Sequence, residues 1–469
     1  MRGRTGLRRG GGTCLASALA GVIGLALVAS GSPATAQFFI KQGYENPQGI
    51  PTPSIAPSLP NNGDPGGMRK WLADRGFTYG FIYTNDVLGN VKGGRRKGFI
   101  DQGKLEIDLN LDFERLAGWQ GLRFYANIFQ IHDTGRIRRD YVGGINTIAA
   151  IEAVPTTRLS ELWLEQKLWN DTTTLRFGQL AADVEFFYAE NSAMFLQSDW
   201  PTIGAQNLPS GGPAYPLSTP GIRFKTEPAK DVTLLMAIFN GDPAGPGPGD
   251  EQLRNRYGLN FRVTDPPLMI AEAQFRANQA KEDTGLARTL KLGVWGHAGK
   301  FDDQRFANDG TLLADPMGSG VPAQHRGNYG VYGVIDQQLY RPKGGEWDSG
   351  ISVFSRVSAS PSDRNQIDFY VDGGIVFNGL VPGRPEDKFG ASIIYARFSD
   401  ALRAFDKNQI AFTGMPGVVQ DYEANLELTY VFEIVPGWTV RPVVTKVWHP
   451  SGGIYPNALV TGVRSLLFY

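Results

Sequence analysis

Lys104-Leu105-Glu106-Ile107-Asp108-Leu109-Asn110-Leu111-Asp112-Phe113 alternates without a break. Every odd position is apolar and every even position is charged or polar. Side chains alternate faces along a β-strand, so this stretch reads as a strand with one oily and one hydrated face. Its ten residues match the roughly 9–11 that a tilted strand needs to cross a bilayer. A strand of a soluble sandwich would look the same, so the decision passes to how often the pattern recurs.

It recurs to the end of the chain. In Leu122–Ile128, Leu122, Phe124, Ala126 and Ile128 oppose Arg123, Tyr125 and Asn127. In Tyr422–Phe432, Tyr422, Ala424, Leu426, Leu428, Tyr430 and Phe432 oppose Glu423, Asn425, Glu427 and Thr429. Aromatic residues at both ends of that oily face suit the two interfacial girdles of a membrane barrel. Seventeen stretches between 77 and 469 read as strands, among them 254–264 and 268–277. Short turns (Ala117-Gly118, Asn170-Asp171, Pro228-Ala229, Asp265-Pro266-Pro267, Val435-Pro436-Gly437) interleave with long polar loops. That asymmetry is typical of outer-membrane barrels, whose single-chain bacterial forms use an even number of strands. Counted from each end, the up-and-down order falls out of phase between Leu268 and Tyr329. Either one candidate there is no strand, or 301–326 hides another.

Residues 1–36 read as a secretory signal peptide. Arg2, Arg4, Arg8 and Arg9 precede a short apolar core from Leu15 to Ala29, and Ala34-Thr35-Ala36 is a cleavage site. Cys14, the one cysteine, falls inside this leader, so the mature chain is expected to have no disulfide and no thiol chemistry. Removing the leader takes away four arginines and no acidic residue, which leaves 42 basic against 46 acidic side chains. A net −4 argues against nucleic acid as a partner. Residues 37–70 are expected as a flexible Pro/Gly-rich segment, and 71–469 as the barrel. No apolar run after the leader approaches the roughly 20 residues of a spanning helix, which leaves strands to cross the membrane. Pro442 has no N–H for a ladder, so a bulge or the periplasmic rim is its expected place.

The chain closes on Leu466-Leu467-Phe468-Tyr469. An aromatic last residue resembles the signal read by the outer-membrane assembly machinery. Several motifs resemble the carbohydrate-selective (OprB-type) porins. The carboxy-terminal part is most similar: Pro436-Gly437-Trp438-Thr439-Val440-Arg441-Pro442, His449-Pro450 and Pro456-Asn457-Ala458-Leu459-Val460. Gly379-Leu380-Val381-Pro382-Gly383-Arg384, Glu161-Leu162-Trp163-Leu164-Glu165-Gln166 and Leu175-Arg176-Phe177-Gly178-Gln179 add to it. The resemblance runs from Trp71 onward. It implies an all-β, sixteen-stranded antiparallel transmembrane barrel with an inward-folded constriction loop, lodged in the outer membrane of a Gram-negative bacterium. One of the seventeen candidates is then surplus. Tyr469 departs from the Phe commoner in last place.

The implied function is passive, carbohydrate-selective diffusion of small sugars such as glucose into the periplasm. A general-diffusion or anion porin is the alternative, and a secreted all-β sugar-binding protein is a more remote one. The expected partners are small sugars, outer-membrane lipid and the assembly machinery, acting through the last aromatic residue. Whether barrels assemble as a homotrimer is left open, and no cofactor is implied. The loop 183–218 after the fifth strand is the candidate constriction, with Asp183, Glu185, Phe186 and Trp200. Beside it, Glu161, Trp163 and Glu165 share one face of a strand, while Arg176 and Arg223 lie on the next two. Carboxylates and guanidinium groups can bond a sugar's hydroxyls, and aromatic faces can stack on its C–H faces. The same charges could instead merely hydrate the wall of a water-filled lumen. The four histidines (His132, His297, His325, His449) have no metal-ligand spacing, and no nucleophile elbow or phosphate loop is present. No enzyme is expected.

Overall fold

A computed structural model describes residue 50, residues 53–280 and residues 282–469. The expected signal peptide and residues 37–49 lie outside the described residues. Sixteen strands form one closed antiparallel barrel. They are β1 (Phe77–Lys92), β2 (Gly98–Asp112), β3 (Leu122–Asp133), β4 (Thr156–Leu168), β5 (Thr173–Leu180) and β6 (Thr219–Ala229). Then come β7 (Val232–Phe239), β8 (Leu268–Ala277), β9 (Arg288–Ala307), β10 (Pro322–Tyr340) and β11 (Gly350–Ala359). The last are β12 (Ile367–Asn378), β13 (Lys388–Phe398), β14 (Tyr422–Val435), β15 (Trp438–Trp448) and β16 (Ala458–Phe468). Each strand pairs with its neighbours in sequence, and β1 pairs with β16, so every ladder is used and no edge is exposed.

The opening stretch of the sequence is the body of β2, as its alternation demands. Aromatic side chains band the barrel at both ends. Phe377, Phe389, Tyr430 and Phe432 make contiguous ring contacts across β12–β14 near one rim. Tyr395, Tyr422 and His449 do the same near the other. Tyr422 and Phe432 are thus the two ends of the lipid-facing stripe of β14. Pro442 sits where the β14–β15 ladder has a gap, between Thr429/Val443 and Phe432/Val440.

The surplus candidate is 254–264. Tyr257, Leu259, Phe261 and Val263 alternate as a strand's residues would, yet no ladder is open to them. β7 and β8 pair directly, Phe239 with Leu268, and close the wall between them. The segment instead crosses the end of β4, where the Leu159 N–H donates to Tyr257 O at 3.0 Å and Arg158 Nη2 to Asn255 O at 3.1 Å. Asp265-Pro266-Pro267 therefore ends a long loop and is no turn between strands. The mismatch assigned to 268–329 originates just before it. Within that window β8, β9 and β10 pair in order, and the hairpin of β9 and β10 simply runs on through much of 301–326.

The Pro/Gly-rich stretch before the barrel also differs from expectation. Over its described residues it forms tight turns (Ala56–Ser58, Pro60–Gly63, Pro65–Gly67) that lead into a helix, Met68–Ala73. Ala56 and Ala73 are buried, so the segment packs on the barrel and does not trail from it.

Candidate functional site

The loop between β5 and β6 folds into the lumen and reaches the opposite wall. Wall carboxylates hold its backbone. Asp336 of β10 accepts from the N–H groups of Glu190 and Asn191 at 3.0 and 2.9 Å, and Glu427 of β14 from those of Leu196 and Gln197 at 2.8 and 2.9 Å. Cations hold the carbonyls. Lys291 of β9 donates to Tyr188 O at 2.7 Å, and Arg356 of β11 to Phe187 O and Asp199 O at 3.2 and 3.0 Å. Arg356 is itself locked by Asp372 of β12, with Nε 2.9 Å from Oδ2. A buried backbone polar group left unpaired costs about 1–3 kcal/mol, so these contacts fix the path of the loop.

Apolar contact adds to them. Phe186, Phe187, Phe195 and Trp200 are buried against wall residues that include Leu235, Phe239, Ile270 and Tyr332. Phe187 stacks on Tyr332 at 3.5 Å between ring centroids. This corrects one expectation: Phe186 and Trp200 are 1% and 5% exposed, so neither offers an open face to a sugar. Trp163 is covered too, between Arg176 at 3.8 Å and Tyr125 at 4.9 Å.

The charged candidates meet at the stem of the loop. Register sets Glu165, Arg176 and Arg223 in one row across β4, β5 and β6. Glu165 Oε2 lies 2.8 Å from Arg176 Nη2 and 2.6 Å from Arg223 Nη2. Glu185 of the loop completes the cluster, 2.8 Å from Arg223 Nε and 3.4 Å from Arg176 Nη1. Two cations and two carboxylates thus satisfy one another, and both arginines are buried. Glu161 accepts weakly from the Ala181 N–H at 3.4 Å where the loop leaves β5. Asp183 accepts from the Tyr215 N–H at 2.8 Å and so ties the two ends of the loop together. All nine candidates therefore lie in or beside the loop and its stem, and these contacts run mainly to one another and to the barrel.

Other inward side chains keep partial access to water, and the sequence reading did not single them out as site residues. Lys104 and Glu106 of β2 pair at 2.5 Å with 12% and 14% of their side chains exposed. The Lys104 ammonium lies 4.7 Å from the ring centroids of both Phe129 and Tyr215. Arg441 of β15 is half-buried, 3.3 Å from Met194 O, with no carboxylate at ion-pair distance among the described residues. The alternation of 104–113 signals the first pair, whereas nothing local marks Arg441 as different from a rim arginine. Burial pushes two loop carboxyls up, Asp183 to about 7, aided by the charge of Asp199, and Asp199 to about 6. Near neutral pH the constriction thus carries less negative charge than a count of its carboxyls suggests.

A second inward segment was not anticipated. Residues 134–155, between β3 and β4, reach Glu423 of β14, which accepts from the N–H groups of Ile145 and Asn146 at 2.9 and 2.8 Å. The Ala150 N–H donates to Leu196 O at 2.8 Å, so the two segments brace each other inside the barrel. Among the described residues no group of three or more His, Cys, Asp or Glu side chains is placed to hold a metal ion.

A family model described as carbohydrate-selective porin, OprB family, matches residues 96–467. Porin B of Pseudomonas aeruginosa is 24% identical over 427 residues, which cover 86% of this chain and 89% of that protein. A putative porin of Acinetobacter baylyi, QuiX, is 19% identical over 413 residues, 83% of this chain and 88% of that one. The high-pH structure of Pseudomonas putida OprB superposes with a TM-score of 0.77 at 22% identity, covering 87% of this chain and 97% of that one. That likeness is one of fold.

Proposed function

The chain belongs to the carbohydrate-selective porins of the OprB family, and from that premise we propose that it lets small neutral sugars such as glucose diffuse passively into the periplasm. As a family member it is an outer-membrane porin and no enzyme. The sugar gradient supplies the free energy, and selectivity comes from weak, successive contacts, because a tight site would trap its solute.

One observation carries the reading. The inward loop spans the lumen, and the charges at its stem and on the wall of β2 are matched in pairs, so this part of the constriction has hydrogen-bonding capacity without a strong field of one sign. Lys104, Glu106 and Arg441 supply donors and an acceptor to a passing hydroxyl, and the half-buried Tyr215 ring beside Lys104 offers an apolar edge. Glu161, Glu165, Arg176, Asp183, Glu185 and Arg223 act through the loop, by holding it at the width that a sugar fits. Phe186, Trp200 and Trp163 act as its packing. Arg441, a lumen cation with no carboxylate at ion-pair distance among the described residues, favours the second reading of an anion-preferring pore.

Liposome swelling separates the two. Glucose-sized sugars are expected to enter faster than zwitterions or anions of equal size. Lys104→Ala and Arg441→Ala should each narrow that gap by a few-fold with little change in swelling rate for small ions. Faster uptake of anions, lost in Arg441→Ala, would establish the anion pore, and equal rates for all solutes of one size would establish general diffusion.

A further inference from the structure

The last side chain of the chain is occupied by the segment before the first strand. The Tyr469 ring lies 6.0 Å from Phe81, and the backbones of the two residues exchange hydrogen bonds of 2.8 Å, which closes the seam between β1 and β16. Across that seam lies Arg69, from the helix Met68–Ala73. Its guanidinium sits 4.7 Å from the ring centroids of both Tyr79 and Tyr469, and Nη2 donates to Tyr79 O at 2.7 Å. Arg69 is only 2% exposed. Two aromatic faces and the hydrogen bond to Tyr79 help to hold a cation so deeply buried. The Tyr469 hydroxyl donates to Gly63 O, a bond that phenylalanine in last place could not make.

The rest of the segment is built to reach this position. Asp64 accepts from the N–H groups of Arg69 and Lys70 at 2.8 and 3.1 Å and so orients the helix that carries Arg69. The Ile55 N–H donates to Phe468 O at 2.9 Å. Gly437, in the β14–β15 turn, has φ +80° and lies so close to the Ser54–Ile55 backbone that a Cβ there would collide with it. At the far end, Arg115 donates to Ala73 O at 3.2 Å and ties the helix to the turn before β3. The segment therefore spans the ends of β14, β15, β16, β1 and β2.

We propose that residues 53–75 are a clasp that docks on the barrel seam and takes Tyr469 as its anchor. Tyr469 then has two successive partners. On the expected role of the terminal aromatic residue, the assembly machinery engages it during insertion, and Arg69 with Gly63 replaces that machinery in the finished barrel. In the docked state Arg69 covers one face of the ring and Gly63 takes its hydroxyl, so neither is open to another partner. Docking of the clasp would thus accompany release.

The full-length protein in outer membranes tests this by the temperature at which the compact, unheated form on a detergent gel converts to the unfolded one. Arg69→Ala is expected to lower that temperature by several degrees and Tyr469→Phe by less. The Tyr469→Ala variant should also lower it, and combining the two should cost less than the sum of the single losses, since the variants share the Arg69–Tyr469 contact. Unchanged temperatures, or fully additive losses, would overturn the clasp. The amount of inserted barrel is read separately. Arg69→Ala should leave it unchanged while Tyr469→Ala reduces it. A normal yield for Tyr469→Ala with a lowered temperature would remove the assembly role and leave the clasp standing.

Discussion

Replacing residues 186–198 by a short Gly-Ser linker is expected to raise single-channel ion conductance several-fold and to abolish the preference for sugars. This part of the loop crosses to β10 and β14 and is held there by Asp336 and Glu427. The barrel itself does not need it. β5 and β6 pair directly, Leu180 with Thr219 through Thr173 with Thr226, so the ladder stays closed when the loop is shortened. The deleted residues take with them the obstruction, their aromatic packing and one side of the constriction. Glucose and an anion of the same size should then swell liposomes at equal rates. Unchanged conductance would move the constriction to residues 134–155, the second inward segment.

Glu165→Ala is expected to have the largest effect of any single substitution at the stem. Glu165 is shared by Arg176 and Arg223, both buried, and its loss removes the nearer of the two carboxylates that each arginine contacts. Breaking a buried pair by removing one partner costs about 3–5 kcal/mol, chiefly because the remaining charge is stranded. The strain falls on Glu185 and hence on the loop. Heat conversion should therefore come at lower temperature, and the open-channel current should become larger and noisier. Glu165→Ala combined with Arg176→Ala should recover part of the loss, since one cation and one carboxylate remain to pair. If the double variant is worse than Glu165→Ala by the full cost of a second lesion, the cluster is not a coupled anchor. If Glu165→Ala changes sugar selectivity with no change in heat stability or current noise, the carboxylate meets the sugar directly.

The two experiments probe what the sequence does and does not reveal. Alternation along 104–113 suffices for β2, because the period of two is a property of one strand in isolation. The same signal misleads at 254–264. Tyr257, Leu259, Phe261 and Val263 satisfy the pattern, but whether a strand forms depends on a free ladder, which only the closed ring of neighbours determines. The position of the constriction loop was legible from its length and its place after the fifth strand. Its anchors were not, since Glu427 is separated from Leu196 by 231 residues and no local pattern links them. Glu165, Arg176 and Arg223 could be read as inward-facing neighbours. That they quench one another depends on register, which puts all three in a single row. Phe186 and Trp200 suggest stacking faces in the sequence because they lie in a lumen loop. The wall behind them is apolar at Leu235, Ile270 and Tyr332, and the loop buries its rings there. Tyr469 is legible in the sequence as a terminal aromatic and as a departure from phenylalanine, and its hydroxyl acquires a purpose once Gly63 is beside it.

Single-channel recording with added sugar tests the central claim most directly. With the intact loop, glucose added to one side should reduce the ion current reversibly and in a concentration-dependent manner, through brief contacts that leave no long closures. A sugar too large for the constriction should have no effect beyond that of viscosity. The shortened-loop channel should lose the block by glucose and keep only the viscosity effect. Equal, viscosity-like reduction by both sugars in the intact channel would contradict a sugar-selective constriction formed by the inward loop.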